Sequence, residues 1–351
     1  MQIHMQNKQK NFFQANLPLI GVIVGLAVVP FLVAIIDGQP VADVFASEAG
    51  NAKFVQGLLI EIFILAVYAI SYDLIMGVTG LLSFGHAMYF GVGAYLTGIM
   101  LKSFGWDLLP TLGLVMVAGV VQALLFSVVL PRVQGLTFAL VTLSMAVVFH
   151  IVIRSRELGD YTGADVGLQR VVTPEFISPA NERFTFYIVA LTFMFAVYLL
   201  YRRFVDSPTG RVCIAIRENE ARAEMLGYNT FYFKVVALTI SSITAALAGA
   251  LHALFQPIVS PDVASLAFTI SALLMVLFGG VGTLSGALVG AAIFKLLSYG
   301  LDRFFGENAT VLIGLVYIAI VLFLPYWVVG TWNLRRGERG KGGSGEKVGA
   351  S

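Results

Sequence analysis

Three ionisable side chains stand inside long apolar runs of this sequence: Glu61, Asp73 and Lys295. A charge held in hydrocarbon is costly, so each is a candidate for handling an ion or a proton. The competing reading is structural. Asp73 lies near a span end, where it can cap or pair, and Lys295 can pair inside a bundle or reach the interface along its aliphatic stem. Three scattered charges do not make a proton relay. His4, His86, His150 and His252 do not form a metal-ligand cluster, and the single cysteine, Cys213, excludes an internal disulfide. The phosphate-binding pattern G-x-x-x-x-G-K-[ST] is missing, because Gly340-Lys341 is followed by Gly342. There is no H-E-x-x-H and no Ser/His/Asp grouping with a supporting motif. The chain is thus predicted to be no enzyme and to need no cofactor of its own. Nothing in its composition suggests nucleic acid.

The next unusual chemistry is in the backbone. One glycine-rich interruption reads Gly77-Val78-Thr79-Gly80-Leu81-Leu82-Ser83-Phe84-Gly85-His86 and continues to Gly91 and Gly93. A second reads Phe278-Gly279-Gly280-Val281-Gly282-Thr283, then Leu284-Ser285-Gly286 and on to Gly290. Irregular backbone at membrane depth survives only where protein or a water-filled cavity surrounds it, and broken helices often mark a translocation path. Path candidates are therefore Glu61, Asp73, Ser83, His86, Tyr89, Gly279, Gly280, Gly282 and Thr283. The segment near Ser83 and His86 could offer a half-helix N-terminus to a carboxylate. The alternative is close helix packing, since Ala87/Gly91 and Ala94/Gly98 are small residues four apart. The two breaks do not superpose under a simple five-plus-five inverted repeat.

The elements that must position these residues are membrane helices. The chain has 351 residues, 58% hydrophobic and 12% charged, with a mean hydropathy of +0.87. Its apolar runs suit helices rather than barrel strands. The fold class is all-α: a polytopic transmembrane bundle of about ten spans with interrupted glycine-rich helices. The spans are expected near 17–36, 54–76, 85–104, 109–130, 136–153, 184–201, 233–256, 266–280, 283–301 and 308–330. The first, 20 residues long, is longer than a typical signal core and reads as a retained span. A cytoplasmic N-terminus puts 14 basic residues inside and 7 outside, which favours both termini in the cytoplasm. The layout is then a cytoplasmic N-terminus over 1–16 and a transmembrane domain over 17–330. An external loop spans 154–183, and a disordered basic tail spans 331–351.

The stretch from Arg202 to Lys234 belongs in water yet has helical punctuation. Ser207 suits an N-cap, Pro208 the first helical position and Gly227 the residue after the last turn. Val212, Ala215, Ile216, Ala223 and Leu226 can gather on one side, with Arg211, Glu218 and Arg222 turned away. Glu218 precedes Arg222 by four residues, the favourable order for a helical ion pair. Such a helix either rests on the lipid surface or docks a soluble subunit.

Three stretches together resemble one family. The first runs from Tyr72-Asp73-Leu74-Ile75-Met76-Gly77 through Ser83-Phe84-Gly85-His86-Ala87 to Gly91-Val92-Gly93-Ala94-Tyr95. The second is Ser207-Pro208-Thr209-Gly210-Arg211, then Ala215-Ile216-Arg217-Glu218-Asn219-Glu220-Ala221-Arg222-Ala223 and Leu226-Gly227-Tyr228-Asn229. The third is Val259-Ser260-Pro261, then Gly279-Gly280-Val281-Gly282-Thr283-Leu284-Ser285-Gly286. From about Gln56 to Phe323 the chain resembles the permease subunits of ATP-binding-cassette importers for branched-chain amino acids, the LivM-like branch. Two departures stand out. The family's external T-G-G-x-x-G-L reads Thr162-Gly163-Ala164-Asp165-Val166-Gly167-Leu168 here, and Ala287 stands where proline is frequent.

The resemblance implies a plasma-membrane subunit that pairs with a second, related permease. Two ATPase subunits, holding ATP and magnesium, would power it, and an extracytoplasmic binding protein would deliver the ligand. Residues 202–232 would carry the coupling helix. Val212, Ile216 and Leu226 would fill an ATPase groove, with Arg217, Glu218 and Arg222 at its rim and Arg211, Asn219, Glu220 and Gly227 completing the contact. The loop 154–183 would be a platform for the binding protein. Branched-chain amino acids are the expected cargo, with urea or short amides as the alternative. An ion-coupled carrier using Glu61 and Asp73 is the rival mechanism.

Overall fold

Leucine, valine, isoleucine, phenylalanine and alanine dominate runs too long for strands, and helices result. The computed structural model describes residues 21–40, 44, 50–133, 135–306, 311–312 and 314–316. The expected segments 1–16 and 331–351, and most of 308–330, lie outside the described residues. In chain order the helices are α1 Gly21–Ile36, α2 Gly50–Asp73, α3 His86–Ser103, α4 Leu108–Ser127, α5 Gly135–Arg154 and α6 Arg183–Asp206. They continue with α7 Pro208–Glu218, α8 Glu220–Met225, α9 Thr230–Phe255, α10 Leu266–Gly279 and α11 Leu284–Phe305. Among the described residues, six helices are long and apolar enough to cross a bilayer: α2 with its continuation to Val78, α4, α5, α6, α9 and α11. The helices α1 and α10 are apolar but shorter. Helix α3, with His86, two tyrosines, Thr97, Lys102 and three glycines among its 18 residues, is too polar to be in that set.

The chain divides into two units, Met1–Ile60 with Pro174–Ala196, and Glu61–Thr173 with Val197–Ser351. In the first, Tyr187 Oη donates to the Leu26 carbonyl at 2.6 Å, and the Phe31 and Phe184 rings meet edge-on at 5.3 Å. In the second, α9 is the central column, packed along α3 and α4. Its inner face is small or hydroxylated: Ser241, Ser242, Ala245, Ala246, Ala248, Gly249, Ala250 and Ala253 are buried. Backbones therefore approach closely. A Cβ on Gly93 would meet the Ala246 carbonyl, and one on Gly249 the Phe90 carbonyl. Ser242 Oγ donates to the Gly119 carbonyl of α4 at 2.7 Å. Leu109, Met116, Val117, Val121 and Leu124 of α4, and Leu136, Val148 and Ile151 of α5, face outward. Small and polar inside with large and apolar outside is the arrangement a hydrocarbon solvent selects.

The loop that follows α5 is tied to the bundle by two short strands. β1 Leu168–Gln169 pairs antiparallel with β2 Ile258–Val259, and Tyr95 Oη donates to the Val259 carbonyl at 3.1 Å. Ala164 sits at φ 49°, in the left-handed region. That is the position where the family pattern carries its second glycine, and an alanine there costs about 1–2 kcal/mol.

Candidate functional site

Helix α2 does not stop at Asp73. It widens into a π-turn over Leu74–Val78, where the Thr79 N–H and hydroxyl both donate to the Leu74 carbonyl, at 3.1 and 2.9 Å. Gly80, at φ +79°, then turns the chain away. A π-turn lets one extra residue into the helix and rotates the residues beyond it, a common device at functional sites. Asp73 is fully buried at its base. Its Oδ1 accepts the Gly282 N–H at 2.7 Å, while Oδ2 has no partner.

Gly282 belongs to the second interruption. Helix α10 ends at Gly279, and Gly280 (φ +110°) and Gly282 (φ +76°) make the turn into α11. Thr283 Oγ1 closes that turn by donating to the Gly280 carbonyl. Gly279 packs on Gly286, and Gly290 on the Met275 carbonyl, so α10 and α11 form a close hairpin. The two breaks, which show no symmetry in sequence, touch in space. A Cβ on Gly77 would overlap Asp73 Oδ1 and the backbone of Gly282.

The third participant comes from the water-soluble stretch. Ser207 Oγ accepts the Gly210 N–H at 3.2 Å, and Pro208 opens α7. Gly210, Cys213 and Ile216 turn inward and are buried. Burial pushes the Cys213 thiol up to about 11. Arg217 follows Ile216 and, although largely exposed, reaches across: one guanidinium N–H donates to the Gly77 carbonyl, and the stem lies across Gly80. A Cβ on Gly282 would meet the same guanidinium nitrogen at 2.8 Å. Arg217 thus touches both interrupted segments, and its charge bears on Asp73.

One expected helix is two. Asn219, at φ −161° and ψ 100°, breaks the run and caps α8 by accepting the Arg222 N–H at 2.9 Å. Glu218 and Arg222 therefore sit on different helices, and no ion pair joins them among the described residues. Glu220 instead pairs with the buried Lys234 of α9, and Glu224 accepts from Thr230 Oγ1 at 2.9 Å. A cleft of about 330 Å³ lies between these acids, Leu130, Pro131 and Phe231. Ile216 faces the chain's own interior and Val212 is half-buried, so neither stands out as the predicted apolar anchor. The exposed large residues are Met225, Leu226, Tyr228, Phe231 and Tyr232, with Met225 at 80% and Leu226 at 72%. Arg211, Glu218, Arg222 and Gly227 are also exposed.

The remaining predicted residues fall in two places. Glu61 pairs with Lys295 and accepts from Gln256 Nε2 at 2.8 Å. His86 opens α3, its Nε2 within 2.8 Å of Ser71 Oγ, with Tyr89 against its ring. Ser83 Oγ accepts the Gly85 N–H at 3.3 Å. The Ala87 N–H donates to Thr269 Oγ1 at 3.0 Å, so the α3 N-terminus already has one protein acceptor. Among the described residues no group of His, Cys, Asp or Glu is placed to hold a metal. Sequence reasoning missed the contact of Arg217 with the two breaks and the partners Gln256, Lys234 and Ser71, because each contact joins different elements and is set by how they pack. A polar residue on an otherwise buried helix face, as with Lys234, was the available signal.

The Glu61–Lys295 pair is only partly exposed, at 26% and 30% of the two side chains. Neutralising one member strands the other, at a cost of about 1–3 kcal/mol. Glu61→Gln and Lys295→Met should each lower the unfolding temperature in detergent. The double variant should regain most of the loss and retain uptake, as expected of a structural pair. Loss of uptake in the stable double variant would give the pair to ion handling instead.

Residues 54–323 match the model of the family described as branched-chain amino acid transport system / permease component. The chain is 26% identical over 286 residues to the high-affinity branched-chain amino acid transport system permease protein LivM of Salmonella typhimurium, covering 74% of this chain and 66% of the relative. The Escherichia coli LivM is 27% identical over the same shares. The Escherichia coli LivH is 25% identical, over 76% of this chain and 91% of the relative. The chain thus spans just under two thirds of the length of the LivM relatives. No solved structure gives a significant match. The family model covers well over half of the sequence, and its span takes in both helix breaks and the Arg217 segment, so this multi-pass membrane protein belongs to the branched-chain amino acid transport system permease family.

Proposed function

We propose that the chain is the permease subunit of an ATP-driven importer in the inner membrane and passes branched-chain amino acids inward from an extracytoplasmic binding protein. It would work beside a second permease and above two ATPase subunits, with ATP and magnesium held by those partners. About ten spans, with both termini in the cytoplasm, complete the proposal, supported by the excess of basic residues on that side. The observation that carries it is the reach of Arg217. A side chain on the soluble α7 donates to the backbone of one broken helix and lies against the turn of the other. A force applied to α7–α8 from the cytoplasm therefore acts on both interruptions at once. Met225, Leu226 and Tyr228 form the exposed apolar contact, and the acidic cleft beside Glu220 and Glu224 flanks it. A switch between outward- and inward-open states needs different contacts in each state, and this surface can supply them.

Thiol labelling tests the docking. Only the thiolate reacts, so Cys213, buried and shifted up to about 11, should stay unlabelled by maleimide at neutral pH and react only as the solution approaches that value. Met225→Cys, exposed in the chain alone, should label quickly in membranes opened to the cytoplasmic face. Adding the ATPase subunits should slow it at least about tenfold if they cover that surface. Labelling from the opposite face, or no protection by the ATPases, would refute the assignment.

A further inference from the structure

Two buried tyrosine hydroxyls with no hydrogen-bond partner belong to rings packed on one imidazole, whose own Nδ1 is unpartnered as well. His86 is fully buried at the start of α3. Tyr68 stacks on its ring at 5.3 Å, and Tyr72 and Tyr89 meet it edge-on at 5.1 and 5.3 Å between centroids. The Ser71 hydroxyl donates its one proton to the Tyr68 carbonyl at 2.7 Å. Ser71 must therefore accept from His86, which places the ring proton on Nε2 and leaves Nδ1 a bare acceptor. That Nδ1 has no partner, and neither does Tyr72 Oη or Tyr89 Oη. The neighbouring Asp73 also keeps Oδ2 unpaired.

A buried polar atom left unmatched is destabilising, and phenylalanine in place of either tyrosine would remove the penalty without changing the shape. The group that suits these atoms brings several donors and a positive charge. It meets a bare imidazole nitrogen, two phenol oxygens and the electron-rich faces of tyrosine rings. Every described polar or ring contact of His86 is with a serine or a tyrosine, so a carboxylate finds no cation here. Beside this cluster the rings of Tyr68, Phe90 and Phe268 pack on one another, with centroids 4.8 to 5.0 Å apart, an apolar wall suited to an aliphatic side chain.

We propose that Tyr72, His86 and Tyr89 form a transient subsite for a primary ammonium group, the α-ammonium of an amino acid in passage. The subsite rests on the importer reading and names where that cargo is held. All three side chains are closed to solvent in this conformation, so the subsite opens when the helices part.

The test is uptake of L-leucine by the complete transporter in proteoliposomes, with ATP inside and loaded binding protein outside. The double variant Tyr72→Phe/Tyr89→Phe should lose at least about tenfold in uptake, since each hydroxyl would bond a charged group. Its unfolding temperature should equal or exceed that of the native protein, and binding protein should still stimulate its ATPase partners. Stable folding with unchanged uptake would overturn the subsite and leave the orphaned hydroxyls as packing defects or water sites. Failure of the native complex to take up L-leucine would instead overturn the importer reading, and the subsite with it.

Discussion

Arg217→Ala is expected to separate ATP hydrolysis from uptake. The substitution removes a charge-assisted hydrogen bond to the Gly77 carbonyl and the stem that lies on Gly80. A bond of that kind contributes about 1.5–3 kcal/mol, so a conformational equilibrium that depends on it shifts roughly 10- to 100-fold. Uptake by the assembled transporter should fall by that factor while ATP turnover continues. Arg217→Lys should recover only part of the loss, because a point charge does not reproduce a planar fork of donors. Arg211→Ala, on the same helix and equally exposed but with no described contact to either break, serves as the control and should change little. The variant must also be shown to assemble, by co-purification with the ATPase subunits. Full uptake by an assembled Arg217→Ala complex would remove this side chain from the transmission path.

The contact of Arg217 with both breaks was hidden for a physical reason. Local signals placed the start of α7 correctly: Ser207 caps it and Pro208 opens it. The same signals ran the helix on to Gly227, because nothing in the spacing marks Asn219 as a break. Its amide competes with the backbone and starts a second helix, which separates Glu218 from Arg222. The apolar stripe was legible, but its partner was not. Ile216 and Ala223 serve the chain's own packing, while Leu226 stands in solvent. Among the described residues, helices end within about five residues of nine of the expected spans, though only six of them are long and apolar enough to cross a bilayer. The three intramembrane charges could be singled out, but not paired. Glu61 finds Lys295, and Asp73 finds a backbone amide, through contacts set by tertiary packing. The meeting of the two glycine-rich breaks is of the same kind, since periodicity is local and that contact is not.

Gly77→Ala should damage both stability and uptake. The added methyl would fall on Asp73 Oδ1 on one side and on the Gly282 backbone on the other. Neither side yields easily. Asp73 is held by the Gly282 N–H, and Gly282 carries a positive φ that fixes the turn between α10 and α11. Overpacking costs about 1–3 kcal/mol, and a buried carboxylate driven off its donor adds about as much again. The expected outcome is a clear fall in unfolding temperature together with loss of uptake. Gly113→Ala is the matched control. It lies within α4 with open space around it, so the methyl should be neutral or slightly stabilising. Adding Asp73→Ala to Gly77→Ala separates the two clashes. The pair should regain the part of the stability lost to the carboxylate but not the part lost to Gly282, and uptake should stay low because the breaks remain forced apart. A Gly77→Ala protein with native stability and native uptake would mean that the two interrupted helices do not need this contact, and that the link from α7 to the path runs elsewhere.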